Sequence, residues 1–206
     1  MALEPAATRS GGRATVLVAT GCSFTDNAAP DGGAIMVTAI CEGDASAECR
    51  RDGAYVNLTD TVVSGNRAIG CGYTSSSSAA SSSCKSDGRL GSGGGISAAA
   101  GRVLLSDGSA VSNNTATASG GGVHSYGLAY LAVLGSRLDD NAAGDTGGAL
   151  LNAGHTLAIS SSSSFSRNKA KDGRASRYCS PRRRMPFVYI FDSCMNSSTR
   201  LGRSPL

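Results

Sequence analysis

Hydrophobic residues along this chain recur at fixed positions in short runs, and turn-forming residues separate the runs. An apolar residue with Asn three positions later and Ala five positions later occurs at Phe24, Val63, Val111, Leu138 and Phe165. The last three of these residues follow one another at steps of 27 residues. A fixed period of this length predicts a stack of similar structural repeats.

A second motif keeps the same phase as the first. It consists of two glycines, a small residue and an aliphatic residue, and it ends at Ile35, Ile96, Val123 and Leu150. The last three aliphatic residues each precede the next apolar-x-x-Asn motif by 15 residues. We therefore expect glycine corners in every repeat, formed by the pairs Gly32 and Gly33, Gly93 and Gly94, Gly120 and Gly121, and Gly147 and Gly148.

The segments before each apolar-x-x-Asn motif have the pattern of short β-strands. Eight residues before each motif stand Val16, Tyr55, Val103, Tyr130 and Leu157. If the spacing to the motif is constant, these five residues align with one another in the stack. Three residues before it stand turn formers, Gly21, Asp60, Gly108, Gly135 and Ser162. No segment shows sustained helical periodicity with caps. The sequence thus predicts an all-β fold, a right-handed parallel β-helix of about five coils.

Two early repeats are longer than the others, and the additional residues fall at defined places. These insertions, 36–54 and 67–92, leave the phase of the flanking repeats intact, so we expect two external loops. The repeats span residues 14–170, after an N-terminal extension of residues 1–13. Both motifs stop after Ala170, and we expect residues 171–206 to form a basic tail that is irregular or disordered.

Stacking the repeats at this period aligns residues of one type into files. One interior file contains Phe24, Val63, Val111, Leu138 and Phe165. A second file is a predicted structural ladder of Asn27, Asn66, Asn114, Asn141 and Asn168, because stacked amides hydrogen-bond one another and Asn tolerates turn conformations.

Composition and charge add little about a partner. The chain has 206 residues, a charged fraction of 17% and a formal net charge of +4. Basic residues concentrate in the last 33 residues, and a short basic run is usually a solvated tail, so we expect no nucleic-acid partner. No segment approaches the roughly 20 apolar residues of a transmembrane helix. Nothing in the sequence predicts a cofactor.

Cysteines lie in pairs within the two insertions. We expect disulfides between Cys41 and Cys49 and between Cys71 and Cys84, which would restrain the loops in an oxidising compartment. The alternative is a zinc site, but the spacings within the pairs and the lack of a neighbouring His do not resemble a ligand cluster. No metal site is predicted.

The motif pair Phe24-Thr25-Asp26-Asn27 and Gly32-Gly33-Ala34-Ile35 resembles the GGA[ILV] and FxxN repeats of the chlamydial polymorphic outer-membrane-protein family. The resemblance covers about residues 14–170. It implies a pectin-lyase-like parallel β-helix and, by analogy, an adhesin on a cell surface. We expect a surface-displayed or secreted adhesin-like binding or structural solenoid, extracellular or at the cell surface, with an unknown surface glycan or protein as partner. Exposed strand edges at both ends also predict end-to-end self-association.

The alternative function is a polysaccharide-cleaving, pectin-lyase-like enzyme that uses acidic residues on the solenoid surface. Polygalacturonase-type sites combine an Asp-Asp pair, a Gly-His pair and an Arg-x-Lys triplet, and this chain has Asp139-Asp140, Gly154-His155 and Arg167-Asn168-Lys169. Groups on neighbouring coils converge when they are one period apart. Here the separations are 16 and 12 residues, neither near 27. The sequence therefore favours binding without catalysis, and no catalytic residue is predicted.

Overall fold

The computed structural model describes residues 15–38, 54–70, 91–127, 129–154, 156–160, 162–172, 176–178 and 189–190. Within these ranges the chain consists of strands and turns, with no α-helix. The strands form four sheets, which we call A to D, and every strand pair is parallel. The prediction of an all-β fold of parallel strands in stacked sheets is confirmed.

The strands, numbered in chain order, belong to the sheets as follows. Sheet A contains β1 (Thr15–Thr20), β5 (Ala54–Thr59), β9 (Arg102–Ser106), β13 (Tyr130–Val133), β17 (Thr156–Ile159) and β21 (Tyr189–Ile190). Sheet B contains β2 (Ser23–Thr25), β6 (Val62–Ser64), β10 (Ala110–Ser112), β14 (Arg137–Asp139) and β18 (Ser164–Ser166). Sheet C contains β3 (Ala28–Ala29), β7 (Arg67–Ala68), β11 (Thr115–Ala116), β15 (Ala142–Ala143) and β19 (Lys169–Ala170). Sheet D contains β4 (Ile35–Val37), β8 (Ile96–Ala98), β12 (Val123–Tyr126), β16 (Leu150–Ala153) and β20 (Ser176–Tyr178).

The chain passes through sheets A, B, C and D in turn and then returns to sheet A beside its previous strand. Each strand therefore pairs with the equivalent strand of the next repeat. This arrangement of stacked parallel sheets is compatible with a β-helix or solenoid, since the pairing partners are whole repeats apart in sequence.

The core lies between the sheets and is filled by small aliphatic side chains. Sheet B contributes the file in which Phe24 pairs with Val63, Val63 with Val111, Val111 with Leu138, and Leu138 with Phe165. The three central residues of this file are fully buried. Phe24 and Phe165, at the two ends, pack against the core but stay partly exposed. The larger side chains thus stand where the stack ends.

The alignment predicted for sheet A is wrong in two repeats. Tyr55 pairs with Arg102 and Tyr130 with Thr156, so Val103 and Leu157 do not share their file. The strands on either side of β9 are still 27 residues from their partners in the next repeat. The corner before β9 has one residue fewer than the corner before β13, and the corner after β9 has one residue more than the corner after β13. The total length is unchanged, so the period hides the shift. A one-residue shift moves a side chain to the opposite face of the sheet.

Strand pairing continues beyond Ala170, where the sequence motifs stop. Strand β20 pairs with β16, and β21 pairs with β17. The remainder of the predicted tail (173–175, 179–188 and 191–206) and the N-terminal extension lie outside the described residues. The same is true of Cys41, Cys49, Cys71 and Cys84, so both disulfides stay predictions. Cys22 is described, and it is exposed with a free thiol.

Candidate binding face

The five ladder asparagines form a continuous chain of hydrogen bonds along the stack. The Asn66 Nδ2 and backbone N–H both donate to Asn114 Oδ1, each at 3.0 Å. The same pair of bonds joins Asn27 to Asn66, Asn114 to Asn141, and Asn141 to Asn168. Each Nδ2 after the first also donates to a backbone carbonyl of the preceding repeat. The central amides are fully buried and bonded to one another, so they hold the corner and present nothing to a ligand.

The residue before each ladder Asn has left-handed backbone geometry. Its φ is 57° at Asp26, 70° at Gly65, 54° at Asn113, 57° at Asp140 and 52° at Arg167. This conformation turns the chain between sheets B and C and is accessible to Asp, Asn and Gly. The second variable position of the motif is therefore a turn position, and it is filled by Asp140 in the Asp139-Asp140 pair, whereas Asp139 ends strand β14.

The glycine pairs form corners that no side chain could occupy. The first glycine of each pair has a positive φ, for example 65° at Gly120. A Cβ on the second glycine, Gly121, would overlap the carbonyl oxygen of Gly148 and the backbone of Ala142. The repeats approach one another backbone to backbone here, and the glycines position the corner without taking part in chemistry.

Two further ladders, made mostly of hydroxyl groups, were not predicted from the sequence. In one, Thr61 Oγ1 donates to the Ala19 and Thr59 carbonyls, and the equivalent residues Ser109, Ser136 and Ser163 donate to similar carbonyls. The other precedes the glycine pairs and contains Asp31, Ser92, Ser119 and Thr146. A signal for the second ladder exists in the sequence, because small polar residues stand before each glycine pair.

The acidic pair of the enzyme hypothesis is engaged by its neighbours. Asp140 forms an ion pair with Arg167 at 2.7 Å. The Arg167 side-chain hydrogen bond, with its positive charge, lowers the pKa of Asp140. Asp139 Oδ1 accepts hydrogen bonds from the Ser166 N–H and Oγ at 3.1 and 2.7 Å. A general acid for glycoside cleavage needs a raised pKa, the opposite of what Asp140 has. His155 lies outside the described residues.

The outward side of sheet A, here called the sheet A face, has a different character. Tyr55, Arg102 and Tyr130 stand in register on three adjacent strands. Exposed aliphatic side chains extend this face, with exposed fractions of 57% for Val16 and 60% for Val18. Other residues in register on the same side of strands β1 to β17 are Thr20, Asn57, Thr59, Leu104, Ser106, Ala132, Leu134, Thr156, Ala158 and Ser160, of which Ser106 and Ala132 are buried.

Arg102 is the one charged residue among these described members of the sheet A face. Protein interfaces are enriched in Tyr and Arg and depleted in Lys, Asp and Glu at their centre. The hydroxyl ladder that begins at Thr61 donates to carbonyls of the sheet A strands and so helps to hold the strands beneath this face in place.

No group of three or more His, Cys, Asp or Glu side chains within the described ranges is arranged to hold a metal ion. In the same part of the chain, no helix has the length and apolar character needed to cross a membrane.

Comparison with known proteins gives no match. No protein-family model matches the chain, and no curated protein or solved structure is significantly similar to it.

Proposed function

We propose that this chain is a right-handed parallel β-helix of about five coils that acts as an adhesin-like binding scaffold, secreted or displayed on a cell surface. Crossover connections between parallel strands of one sheet are right-handed in about 98% of cases. Sheets B, C and D have five strands each, which supports the number of coils. The GGA[ILV] and FxxN motifs support a relationship to the chlamydial polymorphic outer-membrane-protein repeats and, with it, an extracellular or surface location.

The observation that carries the binding function is the composition of the sheet A face. Tyr55 and Tyr130 flank Arg102 across adjacent strands, which lie about 4.8 Å apart. Tyrosine offers a flat apolar ring and a hydroxyl group, so it can pack against the face of a sugar or an apolar protein surface. Because the face is held rigid, little conformational entropy is lost when a partner binds. The proposed partner is a surface glycan or protein.

The test is a glycan-array and cell-binding screen of the full chain, with binding then quantified for variants. Tyr130→Ala and Arg102→Ala should each weaken binding at least tenfold, since central Tyr and Arg residues are the usual hot spots of an interface. Arg137→Ala is the matched control, because Arg137 is also an exposed arginine but lies in sheet B. It should leave affinity unchanged.

Three results would overturn the proposal. The first is the absence of binding to any glycan or cell by the unaltered chain. The second is an equal loss of affinity in the sheet A variants and in Arg137→Ala. The third is release of reducing sugar that is abolished by Asp139→Asn or Asp140→Asn, which would establish the enzyme instead. Melting curves of every variant separate loss of binding from loss of folding.

A further inference from the structure

Among the residues that the structure describes, the N-terminal end of the stack consists of four strands that pair on one side only. Within the described residues, β1, β2, β3 and β4 are the outermost strands of their sheets at this end. The longest of them, β1, has six residues, Thr-Val-Leu-Val-Ala-Thr. None of the four strands contains a charged residue or a proline. Folded proteins usually protect such edges with charges, proline or a covering segment, because an unprotected edge recruits another strand.

The hydrophobic core reaches the surface at this end. Leu17 and Phe24 pack against the core but stay partly exposed. Their counterparts in the next repeat, Val56 and Val63, are 5% and 0% exposed. A partner that covers the end would bury both this apolar surface and the unpaired backbone groups of β1, and each contributes favourably to association.

The opposite end is covered in part and carries basic residues, although β18, its outermost strand in sheet B, is uncharged and Phe165 there stays partly exposed. Strand β21 pairs with Ala158 and Ile159 of β17, so it covers part of the sheet A edge. Strand β19 begins with Lys169, and β20 contains Arg177. Basic residues of this kind are a usual defence of an edge strand. The two ends of the stack therefore differ, and the N-terminal end is the one suited to pairing.

We propose that two copies of the chain associate through their N-terminal ends, with β1 of one protomer antiparallel to β1 of its partner. A two-fold axis normal to sheet A joins sheet A of one protomer to sheet A of its partner as one continuous sheet. The same axis reverses the strand direction, so the pairing must be antiparallel. The uncharged β1 is compatible with a copy of itself. A two-fold contact of this kind closes on itself and gives a dimer.

A head-to-tail stack is the competing arrangement. It would join the ladder ends, because Asn168 offers its N–H and Nδ2 as donors and Asn27 offers its Oδ1 as acceptor. However, β21 lies on the sheet A edge where β1 of the added copy would have to pair. A head-to-tail contact is also open and leads to fibres, whereas the proposed contact ends at two copies.

Sedimentation of the full chain over a range of concentrations tests the proposal. The unaltered protein should reach a mass about twice the monomer mass of 20.6 kDa. Val18→Lys adds a charge to β1 at a side chain that is 60% exposed, so the variant should fold but dimerise at least tenfold more weakly. Val62→Lys is the matched control: this valine is 38% exposed, lies on β6 inside sheet B, and should leave the dimer intact.

Charge complementation gives an independent readout. Val18→Glu alone should also dissociate the dimer, and mixing it with Val18→Lys should restore a mixed dimer, because opposite charges then face each other across β1. A chain that stays at the monomer mass at every concentration, assembles into fibres, or loses its dimer equally in Val62→Lys contradicts the proposal. So does a mixture of the two Val18 variants that stays monomeric. Circular dichroism confirms that each variant is folded.

Discussion

Replacing Asn114 by Ala should destabilise the protein far more than the same substitution at Asn27, the exposed end of the amide ladder. Asn114 lies in the middle of the ladder and is fully buried. Its Nδ2 donates to Val63 O at 2.9 Å and to Asn141 Oδ1 at 3.0 Å. Its Oδ1 accepts from the Asn66 N–H and Nδ2, each at 3.0 Å. The substitution removes all four of these hydrogen bonds.

The expected loss is about 4 kcal/mol in the free energy of unfolding, from four hydrogen bonds at about 1 kcal/mol each. The buried Asn66 N–H also loses its only acceptor in the described structure. A buried donor without an acceptor adds to the loss in unfolding free energy, because it was removed from water without a replacement hydrogen bond. Domains are stable by only about 5–15 kcal/mol, and a loss of this size is a large fraction of the total.

Urea denaturation followed by far-ultraviolet circular dichroism measures the loss. Asn27→Ala is the matched control, because Asn27 is exposed at the end of the ladder and its side chain donates one hydrogen bond, to Asn66 Oδ1. Its loss should be about 1 kcal/mol or less. The ladder argument fails if Asn114→Ala lowers the unfolding free energy no more than Asn27→Ala does.

Three other substitutions test separate parts of the structure. Gly121→Ala should prevent native stacking or cost more than about 3 kcal/mol of stability, because the new Cβ would overlap backbone atoms of the next repeat. Gly21→Ala is its control: the space around that Cβ is open, so the positive φ alone should cost about 1–2 kcal/mol. Thermal melting compares the two variants. Ser125→Ala should keep or raise the melting temperature, since the buried Ser125 hydroxyl has no hydrogen-bond partner. Arg167→Ala should raise the pKa of Asp140 toward its ordinary value, as followed by NMR titration. In the unaltered protein this exposed pair stabilises the fold above the ordinary pKa of Asp and loses that contribution as pH falls through the lowered pKa. The variant should show a weaker dependence, because Lys169 is then the positive charge left to lower the pKa of Asp140.

The register of sheet B could be predicted from the sequence because its residues carry the motif itself. Phe24, Val63 and Leu138 each precede a ladder Asn at the same spacing, and the pairing of β2, β6 and β14 through their common sheet follows that spacing. Side chains that recur at one phase face the same surroundings in every repeat, so the period alone defines their alignment.

The sheet A face could not be predicted in this way. A fixed count from the motif places Val103 with Tyr55, whereas Arg102 is the residue that pairs with Tyr55. One residue that belongs to the corner before the sheet A strand in the next repeat lies in the corner after β9 instead. The repeat length is the same in both cases, so the period cannot show in which corner that residue lies. The hydroxyl ladder of Thr61, Ser109, Ser136 and Ser163 was not predicted for a different reason. Serine is common throughout this chain, so a hydroxyl residue at one position of the repeat does not stand out in the sequence.

The sequence by itself determined the repeat, its period, and the places of the glycine and asparagine corners. These features depend on local backbone geometry, such as a positive φ or an amide in register. Local residue types such as Gly and Asn favour that geometry, so the sequence is enough to predict it. The tertiary structure decided which side of sheet A faces outward and, within the described residues, which strands stand outermost at each end of the stack. Both depend on how neighbouring repeats align and where β21 adds to the stack, and these are relations between distant residues that no single repeat contains.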